Sequence, residues 1–169
     1  KVTDSQFNEN TADRSGAMYV ISNAEIDNCA FSKNNAVYQA GALFIANNVI
    51  VSNSEFNNNH ASEIAGAIFV SGCNNTIEGS SFNENDAAKS GAINVDLTSA
   101  SSFENCNNTI HDSTFSKNTA EEGGAVWVYD ECDITDSTFN KCNVSHAYEK
   151  NYVHGGGAIY VQGTNALIA

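Results

Sequence analysis

Ile110-His-Asp-Ser-Thr-Phe115-Ser-Lys-Asn118-Thr-Ala120-Glu-Glu-Gly123-Gly124-Ala125-Val126-Trp127-Val128 holds two short motifs, F-x-x-N and G-G-A-[ILV], at a fixed distance. The same arrangement recurs on both sides of it. Phenylalanines stand at Phe7, Phe31, Phe56, Phe82, Phe115 and Phe139, spaced by 24, 25, 26, 33 and 24 residues. Three residues after each comes Asn10, Asn34, Asn59, Asn85 or Asn118, with Cys142 the departure, and two further on Ala12, Ala36, Ala61, Ala87, Ala120 or Val144. Five residues before each Phe stands Val2, Ile26, Val51, Ile77, Ile110 or Ile134. Each copy closes on a small residue, a glycine and an alanine, followed by M-Y-V, L-F-I, I-F-V, I-N-V, V-W-V or I-Y-V.

A repeat of this length suits a helical solenoid, a leucine-rich repeat or a β-helix coil, and residue chemistry decides among them. The apolar segments are short, β-branched or aromatic, and alternate with period two, which is strand patterning. Leucine occurs only at Leu43, Leu97 and Leu167, so the leucine-rich pattern fails. The fold class expected is all-β, a right-handed parallel β-helix of about six coils with three short strands per coil: an Ile/Val strand, a Phe strand and a G-A-x-x-x strand. Coils stacked at about 4.8 Å would span roughly 30 Å. Residues 1–169 form a single β-helix segment, which we expect to be an excerpt of a longer repeat protein.

In-column repetition also predicts directions. The aliphatic residues two and four after each Gly point inward, so the residue between them points outward. Those outward positions hold Tyr19, Phe44, Phe69, Asn94, Trp127 and Tyr160, an expected exposed aromatic stripe and candidate contact surface for glycan rings or a protein partner. Asn10, Asn34, Asn59, Asn85 and Asn118 are expected to form a ladder whose amides bond to their equivalents above and below. The recurring Gly fits a corner where a Cβ would clash or φ is positive.

The net charge of −13, with Arg14 the only arginine, argues against nucleic acid as a partner, because phosphate binding needs clustered Lys and Arg. No apolar run approaches the roughly 20 residues of a membrane helix, so any membrane attachment would come from an anchor outside this segment. Cys73 and Cys106 lie nine residues before Phe82 and Phe115 in near-identical C-N-N-T-I strings, and stacking would bring them within disulfide reach. Cys132 is an alternative partner for Cys106, and small apolar column members are an equal reading for all five cysteines. Three acceptor sequons begin at Asn74, Asn107 and Asn143, a number that an Asn-rich chain also produces by chance.

The two motifs at fixed spacing, as in Phe115-Ser-Lys-Asn118 with Gly123-Gly124-Ala125-Val126, resemble the repeats of chlamydial polymorphic outer membrane proteins. Similar repeats occur in adhesin-like surface proteins of methanogenic archaea. The resemblance covers essentially the whole chain and implies a β-helix passenger domain displayed on the cell surface, often adhesive. Four of the six copies depart from it, with Ser or Ala in place of the first Gly.

Two insertions, near 96–106 and 145–155, are expected to be surface loops. His146, Glu149 and His154 in the second match no recognised metal-ligand spacing, so neither a metal nor a cofactor is expected. A Ca²⁺ role for the column three before Phe (Asp4, Asn28, Asn53, Gly79, Asp112, Asp136) competes with a simple corner-forming one. The acids are mostly dispersed, and the densest group, Glu121, Glu122, Asp130, Glu131, Asp133 and Asp136, has no arginine beside it. The expectation is therefore a non-catalytic, extracellular, adhesin-like module mediating attachment or display, through a cell-surface glycan or protein or neighbouring copies of itself. A structural subunit of an extracellular filament or sheath and a pectate-lyase-like enzyme are the alternatives.

Overall fold

The computed structural model describes residues 1–97, 106–129, 131–145, 155–162 and 166–169. Among them are short strands and no helix, and every strand pairs in parallel with its equivalent one coil away. Phe7 pairs with Phe31, Phe31 with Phe56, Phe56 with Phe82, Phe82 with Phe115 and Phe115 with Phe139. The chain thus makes six levels of a parallel β-helix. The 33-residue repeat keeps register, Ile77 opposite Ile110 and Phe82 opposite Phe115.

Three sheets form the walls, divided differently from the expectation. The Ile/Val and G-A-x-x-x strands belong to one sheet, and in Met18–Asp27 and Leu43–Ser52 they run on as single ten-residue strands. The Phe strands, from Gln6–Asn8 to Thr138–Asn140, make the second. The third follows the Asn corner: Thr11–Arg14, Asn35–Gln39, His60–Ile64, Asp86–Lys89, Thr119–Ala120 and Asn143–Val144. Its inward signal is one small residue per copy among polar ones, too little alternation to mark a strand.

Ile26, Val51, Ile77, Ile110 and Ile134 face the Phe column across one continuous core. Phe31, Phe56, Phe82 and Phe115 are fully buried, while Phe7 and Phe139 at the two ends are half-buried. Successive rings lie 4.7 to 4.9 Å apart with planes within 10°. That separation is the coil rise itself, and it exceeds face contact, so near-parallel rings must be offset, an arrangement aromatic pairs favour.

The corners divide two backbone requirements between neighbouring residues. Positive φ falls on the residue before each recurring glycine: Ser15, Ala40, Ala65, Ser90, Gly123 and Gly156, at 55° to 85°. The glycine itself is needed for space, since a Cβ on Gly16, Gly41, Gly66, Gly91 or Gly124 would collide with the carbonyl oxygen of the next glycine in the column. Asp4, Asn28, Asn53, Gly79, Asp112 and Asp136 are also left-handed, with φ of 48° to 54°, which accounts for Asp, Asn and Gly there.

Candidate functional site

The outer aromatic column flanks the corner that follows the third sheet. Tyr19, Phe44, Phe69, Asn94, Trp127 and Tyr160 stand in register, one per coil. They lie on the opposite side of the sheet from the main core, and Phe44 and Phe69 form a separate cluster with Ala40 and Ala65. The expected exposed stripe is corrected here. Phe44, Phe69, Asn94 and Trp127 are 7% exposed or less, Tyr160 is half-buried, and only Tyr19 is open at 54%. Alternation fixes the side of the sheet, but the left-handed corner folds the third sheet back so that Ala40, Ala65 and Ile64 pack on the rings.

Stacking in this column is uneven. Tyr19 and Phe44 lie 4.2 Å apart, Phe44 and Phe69 5.6 Å, and Trp127 and Tyr160 6.2 Å. At the interruption, Asn94 is shorter than a ring, and the ammonium of Lys89 stands over the indole of Trp127, 4.7 Å from its centre. Glu122, the next residue of the Lys89 column, places a carboxylate oxygen 3.8 Å from that ammonium. Lys89, Asn94, Glu122 and Trp127 make a mixed polar and aromatic corner in this column.

The Asn ladder is built from paired donors. The backbone N–H and the Nδ2 of Asn34 both donate to Oδ1 of Asn59, those of Asn59 to Asn85, and those of Asn85 to Asn118, at 2.9 to 3.0 Å. Each Nδ2 also donates to the carbonyl of a Phe one coil back, as Asn59 does to Phe31. Asn10 joins through Asn34, and the ladder ends where Asn118 Nδ2 meets the sulfur of Cys142 at 3.9 Å. These residues brace corners and are almost fully buried from Asn34 to Asn118.

Two further ladders are present that the expectations lack. Ser54, Ser80 and Ser113 accept the backbone N–H of Cys29, Ser54 and Ser80 in turn, each hydroxyl donating to the carbonyl two residues back. Asn75 and Asn108 form a second amide ladder beside the first sheet. The repeated Ser two before Phe and the repeated C-N-N-T-I string were their sequence signals. Each free cysteine occupies a ladder position: Cys29 among the serines, Cys142 after Asn118, and Cys132 opposite Asn108. Cys132 is therefore out of register with Cys106 and does not pair with it. Burial pushes its thiol up to about 12, keeping it protonated and unreactive at neutral pH.

A disulfide joins Cys73 to Cys106 with their Cα atoms 4.8 Å apart, binding the fourth coil to the fifth. Asn74, Asn107 and Asn143 of the sequons are all exposed. Asp4 accepts from Asn28, and Asp27 from Asn53 and Ser52, so amide and hydroxyl donors meet these carboxylates and hold that of Asp27 below its usual range. Among the described residues no three His, Cys, Asp or Glu side chains are grouped to hold a metal ion. Residues 98–105 and 146–154 of the inserted loops, with His146, Glu149 and His154, lie outside the described residues, as does Asp130. Of the dense acidic group, Glu122 pairs with Lys89 on the third sheet, whereas Asp133 is in the first sheet and Asp136 at a left-handed corner.

The model of the family described as the right-handed β-helix region matches residues 1–168. The chain belongs to that family. No curated protein and no solved structure matches it significantly. Membership gives the β-helix its right hand, the sense that twisted parallel strands favour. The family fold carries both enzymes and non-enzymes, so function has to be argued from this chain's own surface.

Proposed function

We propose that this right-handed β-helix is a non-catalytic module of an extracellular surface protein, of the kind formed by the polymorphic outer membrane protein repeats, mediating attachment to a glycan or protein on another surface. The observation that carries this reading is the Cys73–Cys106 disulfide between stacked coils, a cross-link that persists where thiols are kept oxidised. Rigidity supports it as well: three hydrogen-bonded ladders and a continuous ring stack hold the six levels as one rod. The surface is consistent with display in water, because four of its seven cations are matched in register to acids one coil away. Lys1 pairs with Glu25, Lys33 with Glu9, Lys89 with Glu122 and Lys117 with Glu84.

Antibody raised against this segment should label intact cells, and brief surface proteolysis should remove the signal. Labelling only after lysis overturns the surface reading. Turnover of an acidic polysaccharide that vanishes in Asp133→Asn or Asp136→Asn overturns the non-catalytic one.

A further inference from the structure

The interrupted level of the outer column is also where polar atoms go unanswered. Among the described residues, Oδ1 of Asn94 and Nε1 of Trp127 are each buried without a hydrogen-bond partner. The two residues are directly paired across adjacent strands, Asn94 opposite Trp127. Asn94 is fixed by its other end, where Nδ2 donates to Oγ of Ser90 at 3.2 Å. A free acceptor and a free donor thus stand one level apart, and native structures rarely leave either unmet.

One hydroxyl answers both, its O–H donating to Asn94 while its oxygen accepts from the indole N–H. The surroundings suit a ligand that carries hydroxyls on an apolar frame. Tyr129 and Tyr160 flank Trp127 at 5.8 and 6.2 Å between ring centres, presenting aromatic surface to C–H groups. The ligand should be neutral, because Lys89 and Glu122 offset one another and the chain as a whole carries −13. Lys89 lies over the indole with a side chain that is 35% exposed, so it has room to take another rotamer and leave that ring face without moving the backbone.

We propose that the Asn94–Trp127 level is a binding subsite for a neutral saccharide, one hydroxyl of which bridges Asn94 Oδ1 and Trp127 Nε1 after Lys89 swings aside. This names the glycan partner of the surface module proposed above and rests on that reading for its setting. Trp127 is the only tryptophan, so intrinsic emission reports on this level alone. The full chain is titrated with cellotriose, maltotriose and xylotriose at millimolar concentrations. At least one should shift the emission saturably, and Asn94→Ala should abolish the shift while keeping the far-ultraviolet strand signature. Trp127→Phe keeps a ring and removes the N–H, and calorimetry should find that sugar bound about tenfold more weakly or worse. If Asn94→Ala does not fold, Trp127→Phe decides alone. An emission unmoved by all three sugars, or binding unaltered in the folded variants, overturns the proposal and leaves the two polar atoms to ordered water. Labelling of intact cells by the antibody does not depend on Asn94, so loss of the subsite and loss of the surface reading are told apart.

Discussion

The inner and outer aromatic columns run through the same six levels, yet only one is uniform. The inner column is phenylalanine six times over, with ring separations that vary by 0.2 Å between 4.7 and 4.9 Å. The outer holds Tyr, Phe, Phe, Asn, Trp and Tyr, with separations from 4.2 to 6.2 Å. Both are largely buried, so burial alone does not explain the difference. A closed coil fixes the volume available inside, and a different side chain at one level would leave a hole or a clash against its neighbours above and below. Outside, a long side chain from the third sheet can reach over the column, as Lys89 reaches over Trp127 at the level next to Asn94. Variation is therefore permitted where chemistry can be placed.

The sharpest test of that contrast is a matched pair of truncations. Phe82→Ala should lower stability by about 3–5 kcal/mol, since the cavity is closed on all sides, whereas Phe69→Ala should cost about half as much because its corner opens toward solvent. Equal shifts in the denaturant midpoint would dissolve the distinction between the columns. Asn59→Ala removes an acceptor for two donors of Asn34 and a donor for the Phe31 carbonyl, and about 2–4 kcal/mol should be lost in the same assay. Cys73→Ser should lower stability by about 2–3 kcal/mol, read as a fall in melting temperature that reductant reproduces in the parent chain. At the small end, Lys117→Met removes an exposed pair to Glu84 and should change stability by under about 1 kcal/mol, less at high salt.

Repetition within one chain makes the inner column and the Asn ladder legible without any alignment, because Phe and Asn return at positions that tolerate little else. The outer column is legible as a column but not in its burial. Period-two alternation places Phe44 on the outer side of its sheet, while the fold-back that covers it depends on the left-handed φ of Ala40, a residue type that gives no warning of such a conformation. The same holds for the third sheet, whose inward alanines sit among polar neighbours. At the interruption, Asn94 is visible in the sequence as a gap. The Lys89 ammonium over the neighbouring Trp127 and the unmet Oδ1 of Asn94 follow only from the bending of the corner, which brings the third sheet against the outer column.

The Cys73–Cys106 link has a mechanical consequence. The backbone hydrogen bonds of a β-helix lie along its axis, so tension on the two ends loads one interface between coils at a time and the rod unravels turn by turn. Each regular turn released frees about 24 residues, roughly 80 Å of slack. The disulfide ties the fourth turn to the fifth, and unravelling from either end meets a covalent stop there. A tether built this way would lengthen under load in steps and keep its middle folded, with the Asn94–Trp127 level just beside the knot.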